Sequence, residues 1–386
     1  MSGPLSGITV VEMAGIGPGP FCAMLLADLG ADVICIERKP GAGEPALERF
    51  KGPTSVVDRG RRSLAVDLKD PDAIALVLRL VEEADALIEG YRPGVMERLG
   101  LGPEICHARN PKLVYGRMTG WGQTGPLSRV AGHDINYIAL AGALHAIGSD
   151  GQPPTVPLNL IGDYGGGGLL LAFGLVSALL EAQRGDQGQV VDAAMCDGAT
   201  TLMSLFYGLA AGGQWQSQRE SNFLDGAAPF YRAYLCADGK HLAVGAIEPK
   251  FYQLLLSKLE TDEPRLHEQW RRASWPEQRN LLADIFQRKS RDEWCRCLEG
   301  SDVCVSPVLD LHEAPKHPHH RARDTFVEID NVTQPAPAPR FSRTPGRIRH
   351  GVVPPGRHSR QILAGIGLQD DEIGLLARRG TIHIHE

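Results

Sequence analysis

The chain has 386 residues, of which 43% are hydrophobic and 22% are charged, so it is long enough to bury a large core. Forty lysines and arginines are outnumbered by 46 aspartates and glutamates, which gives a formal net charge of −6. This balance argues against a nucleic-acid partner, because such a partner requires a basic surface. Length and composition predict a compact globular protein with two or three domains or one elaborated α/β fold.

The sequence contains no segment that we expect to cross a membrane. Its longest apolar stretch, Leu169 to Leu180, is shorter than the roughly 18 residues that a span requires. The N-terminus lacks a basic region followed by an apolar run, and the eight cysteines form no C-x-x-C pair, a pattern typical of reduced thiols. We therefore expect a cytoplasmic protein.

Short β-branched runs alternate with helical patterns over the first 120 residues, which is typical of a parallel sheet with crossover helices. The predicted strands are Ile8–Val11, Val33–Ile36, Leu64–Val66, Ala86–Ile88 and Leu113–Tyr115. Helices are predicted between them at Pro20–Leu29 and Asp72–Ala84, where apolar residues recur at helical spacing. This order predicts a Rossmann-like, doubly wound α/β domain.

The rest of the chain predicts a buried helical region followed by a second domain. A glycine-rich turn at Gly165–Gly168 is predicted to open a buried helix that reaches Glu181, and another helix is predicted at Gly198–Ala211. From about Asn222 the pattern predicts a smaller α+β domain. Its predicted elements are strands at Phe230–Cys236 and His241–Val244 and helices at Pro249–Leu259, Pro276–Arg288 and Arg291–Glu299.

A proline-rich stretch between residues 334 and 355 is too stiff for a helix and too apolar in places for a free tail. We expect it to pack along a surface of the protein. Two final helices, predicted at Arg360–Ile366 and Asp370–Arg378, are expected to return to the first domain.

The segment Gly15–Pro20 is similar to a dinucleotide-binding fingerprint, since it follows the first predicted strand and Glu37 lies about twenty residues further on. However, Pro20 occupies the position of the third glycine in the G-x-G-x-x-G pattern. Pro18 also removes a backbone N–H that a pyrophosphate site would use. The segment therefore argues against an NAD site.

Basic residues recur close to the ends of the predicted strands. The set comprises Arg38, Lys39, Arg59, Arg61, Arg62, Lys69, Arg92 and Arg98. Any one of these side chains fits a solvated rim, but their gathering at one edge of a sheet in an acidic protein favours a polyphosphate ligand. Coenzyme A, with its pyrophosphate and 3′-phosphate, matches that charge.

His133 and Asp163 are candidates for acid–base chemistry, because each stands beside a glycine at the start of a predicted helix. A single histidine is also a common structural residue, and an aspartate before a glycine-rich helix is also a common N-cap, so position alone does not establish catalysis. The run His317–His320 lacks the ligand spacing of a metal site. We expect a polar loop there and no metal.

Several segments together resemble the family III (CaiB/BaiF-type) coenzyme A transferases, and the resemblance covers essentially the whole chain. The segments are Leu5–Ile8, Gly15–Gly19, Leu29–Val33, Asp67–Lys69, Glu89–Gly94, Leu99–Gly102, Gly120–Pro126 and Gly188–Asp192. Within the family, Gly132–Tyr137 and Ala246–Pro249 are similar to the segments of its racemases. Leu224–Pro229 carries alanine where the family commonly has a second glycine, and Gly41–Val57 does not align, so it identifies no contacts to the adenine.

The resemblance implies a discontinuous large domain, a small domain and an interlocked homodimer. The large Rossmann-like domain would comprise residues 1–200 and 330–386, the small α+β domain residues 222–320, and the linkers residues 201–221 and 321–329. It further implies that His133 and Asp163 are the two catalytic acid/base residues and that Glu248 from the small domain orients His133. Contacts to coenzyme A are implied for Ile16, Arg38, Val66, Lys69, Gly90, Tyr91, Arg92 and Arg98.

Two activities agree with these residues, together with one non-catalytic role. In a racemase of 2-methylacyl-CoA thioesters, His133 and Asp163 flank the α-carbon and exchange its proton through an enolate, which backbone N–H groups at the helix after His133 would stabilise. Coenzyme A then enters as part of the substrate, and no other cofactor is required. In a coenzyme A transferase, Asp163 is instead a nucleophile. The fold supports both activities, and His133 favours the racemase over the transferase. A carrier of acyl-CoA needs only the basic residues and leaves His133 and Glu248 without a role.

Overall fold

A computed structural model describes residues 3–41 and 52–385 of the chain. The strands are β1 Thr9–Met13, β2 Asp32–Arg38, β3 Arg62–Val66, β4 Ala86–Glu89, β5 Val114–Thr119, β6 Val190–Ala194, β7 Tyr231–Leu235, β8 His241–Gly245, β9 Val305–Pro307, β10 Phe326–Ile329, β11 Val332–Pro335 and β12 Ile382–His383.

Helices of very different lengths connect these strands. The α-helices are α1 Pro18–Asp28, α2 Pro71–Glu83, α3 Val95–Arg98, α4 Pro103–Arg109, α5 Asp134–Leu140, α6 Ala143–Ala146, α7 Leu170–Gly185, α8 Met195–Leu202, α9 Ser204–Ala211, α10 Pro249–Lys258, α11 Trp275–Phe286, α12 Arg291–Leu298, α13 Pro318–Ala322, α14 Ser359–Gly365 and α15 Asp370–Arg379. A wider, π-helical segment at Leu160–Leu169 runs directly into α7, and we call it the π segment.

The chain divides into two compact units. The first comprises Met1–Ala141, Leu158–Met203 and Arg321–Glu386, and the second comprises Gly142–Pro157 and Ser204–His320. The prediction of one continuous helix at Gly198–Ala211 is wrong. The segment is two helices, α8 and α9, because the chain tightens at Met203, whose N–H bonds the carbonyl of Thr200.

A seven-stranded sheet in the order β12-β3-β2-β1-β4-β5-β6 forms the centre of the first unit. Strands β1 to β6 are parallel, while β12 pairs antiparallel with β3. The five predicted strands and the doubly wound architecture are confirmed, and β6 and β12 are additional. The strand order reverses between β1 and β4, which is the point where ligands of such sheets bind, beyond the carboxyl ends of the strands.

Helices cover both faces of this sheet, so its central strands are buried on both sides. On one face, Val77 of α2 and Leu363 of α14 belong to the same core as Leu87 of β4. On the other face, Leu26 of α1 and Leu175 of α7 pack with Ile88. The apolar periodicity that predicted these helices therefore reflects a core on each side of the sheet.

Helical residues Leu160–Gly185 form a long, apolar, continuous run. This 26-residue run has a mean hydropathy of 1.6 in its best 18-residue window, so by length and composition it is sufficient to cross a membrane. Yet 44% of that window is buried inside the protein, and Leu171 and Leu175 belong to the core beneath β5. A buried core helix has the same length and composition, so these properties give no positive evidence for a span.

The prediction that the proline-rich stretch packs along a surface is confirmed. The N–H of Arg347 donates to the carbonyl of Asp28 at 2.9 Å, and the carbonyl of His350 accepts from Gly60 at 3.0 Å. At its end, the N–H of Gly356 donates to the Ser63 hydroxyl at 2.7 Å. These bonds attach the stretch to the first unit, and β10 and β11 precede it as a hairpin.

The second unit is built on a three-stranded antiparallel sheet in the order β7-β8-β9. The predicted hairpin is confirmed, with residues 236–240 forming its turn between β7 and β8. Helices α10, α11 and α12 supply Leu255, Phe286 and Trp294 to a core of their own with Phe230. The three amphipathic helices predicted there are thus confirmed as core-forming elements.

Candidate active site

The residues expected to contact coenzyme A follow consecutive strands of the parallel sheet where those strands end. Strands β3, β2, β1 and β4 are neighbours, so their carboxyl ends meet along one edge. Along this edge lie Val66 at the end of β3 and Lys69 after it, Arg38 at the end of β2, Ile16 after β1, and Gly90, Tyr91, Arg92 and Arg98 after β4. The structure therefore places the whole predicted set at or beyond the carboxyl ends of neighbouring strands.

Four cations of this set are exposed to solvent: Arg38, Lys69, Arg92 and Arg98. None of them forms an ion pair with any residue in the described parts of the chain. Burial raises the pKa of Tyr91 to about 12, and the charge of Arg38 opposes that rise, so the two side chains lie within electrostatic range of each other. As far as residues 3–41 and 52–385 are concerned, these four exposed cations are available for an anionic ligand.

Three of the predicted phosphate ligands are instead structural, which corrects the sequence analysis. Arg59 is 2% exposed and bonds the carboxylate of Asp28. Arg61 is buried against Glu12. Arg62 stands at the start of β3, where it pairs with Asp32. Buried carboxylates need such partners, because an unpaired charge inside a protein is costly, and the sequence does not reveal which arginine meets which carboxylate.

Lys39 is likewise engaged, which removes a fourth cation from the predicted phosphate set. Its ammonium group donates to the carbonyl of Gly380 at 2.6 Å and lies 3.4 Å from the carboxylate of Asp67. Lys39 therefore links the end of β2 to the chain that returns from the C-terminal helices.

An ion-pair network that the sequence analysis missed supports the turn between β4 and α3. Glu89, 1% exposed, accepts from the N–H of Tyr91 at 2.7 Å and from Arg117 at 2.9 Å. Arg117 also donates to Glu97 in α3 at 2.9 Å. These bonds fix the backbone that carries Arg92 and Arg98. The only sequence signal was a charged residue inside each of two buried strands.

The glycines at 165–168 form part of a helix rather than the predicted turn. A Cβ on Gly198 of α8 would lie 1.8 Å from the carbonyl oxygen of Gly166, and one on Gly168 would lie 2.6 Å from that of Pro18 in α1. Only glycine therefore allows the π segment to approach both helices this closely. Such π-helical insertions in helices often accompany functional sites.

Asp163 lies within this π segment, so it is not the N-cap that its position suggested. Its carboxylate accepts from the Asn159 side chain at 3.0 Å, and a Cβ on Gly17 would come within 3.2 Å of it. Burial raises the pKa of Asp163 above its usual value, the bond from Asn159 lowers it, and the charge of Asp134 raises it further. The carboxyl group is thus held toward its protonated form at the head of α1.

His133 is an exposed residue immediately before α5, in the N-cap position. Its N–H donates to the Asn136 side chain at 3.0 Å, which fixes the start of that helix. Tyr137 of α5 bonds the carbonyl of Gly132 and packs edge-on against Trp121, with ring centroids 4.7 Å apart. The helix that carries His133 is therefore held against the chain that leaves β5.

The structure brings His133 and Asp163 together within the first unit. A protonated His133 lowers the pKa of Asp163, so the imidazole lies within electrostatic range of that carboxyl group. Glu248 belongs to the second unit, where it is exposed and directly precedes α10. Its action on His133 stays a prediction. Residues 42–51, most of the stretch where adenine contacts were sought, lie outside the described residues.

The first unit thus combines a Rossmann-like sheet, exposed cations without ion-pair partners in the described ranges at its carboxyl edge, and an imidazole within electrostatic range of a carboxyl group whose pKa is raised. The profile of CoA-transferase family III matches residues 5–359. The chain therefore belongs to CoA-transferase family III.

Individual relatives agree with this assignment over nearly the full length. The chain is 45% identical over 371 residues to an alpha-methylacyl-CoA racemase of Mus musculus, covering 96% of this chain and 95% of the relative. It is 33% identical over 398 residues to a succinyl-CoA–D-citramalate CoA-transferase of Chloroflexus aurantiacus, covering 98% of both. The crystal structure of a CaiB/BaiF family protein from Brucella suis superposes with a TM-score of 0.82 at 26% identity, covering 95% of this chain and 100% of that one.

Proposed function

We propose that this protein is a racemase that inverts the α-carbon of 2-methylacyl-CoA thioesters. The observation that carries the proposal is that His133 and Asp163, whose pKa is raised, lie within electrostatic range in a single compact unit, where Asp134, next to His133, bonds the N–H of Asp163. The 45% identity to an alpha-methylacyl-CoA racemase supports the same reaction and the same class of substrate.

Inversion requires one group to remove the α-proton from one face and a second group to return a proton on the opposite face. His133 and Asp163 take these roles, and they exchange roles when the reaction runs in reverse. Because burial raises the pKa of Asp163, its protonated form persists closer to neutral pH, where it donates a proton to the enolate. Backbone N–H groups in the first turn of α5, beside His133, stabilise the enolate oxygen.

The coenzyme A part of the substrate binds along the carboxyl edge of the sheet. Arg38, Lys69, Arg92 and Arg98 meet its phosphates, since they are exposed and have no ion-pair partner among the described residues. Uncharged contacts come from Ile16, Val66, Gly90 and Tyr91, which lie at or just after the carboxyl ends of strands in the same sheet. No cofactor beyond the coenzyme A of the substrate is needed for proton transfer.

Glu248 orients His133 in this proposal. An anionic partner fixes the imidazole tautomer and stabilises the imidazolium that forms when His133 holds the abstracted proton. Support comes from the similarity of Ala246–Pro249 to the corresponding segment of the family's racemases.

The alternative function is transfer of coenzyme A between carboxylic acids. Asp163 would then attack the thioester and carry the acyl group before releasing it to an acceptor acid. The 33% identity to a CoA-transferase favours this reading, as does the partial exposure of Asp163. His133 has no necessary role in it, so the racemase stays the first choice.

Solvent exchange separates the two functions. With the racemase, (R)- and (S)-2-methylacyl-CoA interconvert without an acceptor acid, and mass spectrometry detects deuterium at the α-carbon in D₂O. The rate of racemisation by His133→Ala should then be about 10²–10⁴-fold lower, since this is the usual contribution of a positioned proton-transfer group.

If the protein is a transferase, the same experiments should give the opposite results. Turnover would require a second carboxylic acid, hydroxylamine would trap an acyl group on Asp163, and the α-proton would not exchange. Retention of the full rate by His133→Ala, together with acceptor-dependent turnover, would refute the racemase.

Removal of single cations tests the binding edge. Arg92→Ala and Arg98→Ala should each lose charge-assisted hydrogen bonds of about 1.5–3 kcal/mol, which corresponds to roughly 10–150-fold weaker binding of coenzyme A by calorimetry. Arg62→Ala is the matched control, because Arg62 pairs with Asp32 at the opposite ends of the strands and should leave affinity unchanged. Unchanged affinity in both test variants, or an equal loss in the control, would contradict the assignment.

We further propose that two copies of the chain form an interlocked homodimer. The outer face of the helical run through α7 exposes apolar side chains at a helical spacing, namely Leu169, Phe173, Val176 and Leu180. Phe173 is 72% exposed, which is unusual for so large an apolar side chain unless a partner covers it. The long proline-rich stretch also suits chains that wrap around one another.

An interlocked dimer should not dissociate while its subunits are folded. Sedimentation at nanomolar concentration should therefore detect the dimer mass up to the onset of unfolding, measured by circular dichroism on the same samples. A folded monomer at any dilution would disprove the interlocking.

A further inference from the structure

We propose that Asp134 is a positioning residue that fixes the backbone of Asp163 and holds its carboxyl group ready to act as an acid. This inference rests on the proposed racemase function. It concerns a side chain that neither removes nor returns the α-proton itself.

The geometry joins α5 to the π segment through this one carboxylate. Oδ2 of Asp134 accepts a hydrogen bond from the N–H of Asp163 at 2.7 Å. A Cβ on Gly162 would lie 2.6 Å from the same oxygen, so a glycine at 162 is required for the contact. Asp134 directly follows His133 in the sequence, so its bond to Asp163 determines where the Asp163 backbone lies with respect to His133.

The other oxygen of the carboxylate is buried and lacks a partner. Asp134 is only 6% exposed, and its Oδ1 has no hydrogen-bond partner within the residues that the structure describes. A buried carboxylate oxygen without a donor is costly, and proteins retain such groups where they serve a purpose. Here the charge of the Asp134 carboxylate raises the pKa of Asp163.

The charged surroundings of Asp163 leave Asp134 as the neighbour that opposes its ionisation. His133 acts in the opposite direction, and Asn159 contributes a hydrogen bond without a charge. Helix α1, which packs on the π segment, carries Cys22 and Asp28, and Asp28 is bonded to Arg59. Helix α8, which also packs there, carries Cys196 and the exposed Asp197. Two further groups, Tyr137 and Arg92, lie within range of the same cluster.

A like charge beside Asp163 favours its neutral form, because two nearby carboxylates resist being ionised together. The protonated Asp163 is the species that donates a proton to the enolate. Asp134 therefore acts twice on the same residue, through the hydrogen bond that places it and through the charge that keeps it protonated to higher pH.

Substitutions at Asp134 separate the two effects. Asp134→Asn keeps an oxygen able to accept from Asp163 and removes the charge, so the limb of the pH–rate profile that belongs to Asp163 should move to lower pH in both reaction directions. Asp134→Ala removes both effects and should lower kcat by about 10²-fold, the cost of a small misplacement of a reacting group. The readouts are kcat and KM for α-proton exchange in D₂O between pH 4 and 9.

Asp192→Asn is the matched control, because Asp192 accepts from the N–H of Gln123 at 3.0 Å and is exposed on β6. It should leave the pH profile in place. Thermal unfolding of each variant checks that it is folded, and if Asp134→Ala does not fold, Asp134→Asn decides alone.

The inference is overturned if Asp134→Asn keeps the parent profile or moves it to higher pH. It is also overturned if the Asn and Ala variants lose kcat equally with no movement of the profile, since that indicates a purely structural role. Absence of exchange in the parent protein would refute the racemase and this assignment together, whereas an active parent with an unchanged Asn variant refutes the assignment alone.

Discussion

The close approach of two helical backbones, at Gly166 and Gly198, is the constraint on which the candidate site depends. No side chain larger than glycine fits at Gly198, where an added Cβ would meet a carbonyl oxygen at 1.8 Å. This contact places the π segment against α8 and α1 at the same time. Asp163 is carried to the head of α1 as a result, next to the helix that begins after His133. The glycine run at 165–168, for which the sequence predicted a turn, thus serves here to pack helices.

The arginines of the first unit fall into two groups, one in its interior and one at the carboxyl edge of its sheet. In the interior, Arg59 and Arg61 form ion pairs with buried carboxylates, so they stabilise the fold and are unavailable to a ligand. At the carboxyl edge of the sheet, Arg92 and Arg98 stay exposed, and Arg117 holds their turn in place from below. The same residue type therefore performs two tasks in an acidic protein, and only burial distinguishes them.

Hydrophobic periodicity predicted the strands of the sheet well, because buried parallel strands form unbroken β-branched runs. It missed β6, an edge strand whose outer residues Val190 and Asp192 are exposed. The partners of Arg59 depend on tertiary packing, which no local pattern encodes, and apolar periodicity did not reveal the tightening of the chain at Met203. His133 and Asp163 were identified by resemblance, whereas Asp134 was passed over because its bond to Asp163 joins residues 29 positions apart.

The most direct test of the account follows each enantiomer separately in the two base variants. His133→Ala and Asp163→Asn are incubated in D₂O with pure (R)- or (S)-2-methylacyl-CoA, and α-deuterium is measured before inversion. Each variant retains one base on one face, so the account predicts that each exchanges the proton of one enantiomer only, and that the two variants have opposite preferences. Loss of exchange from the same enantiomer in both variants, or equal exchange of both enantiomers by either one, would contradict it.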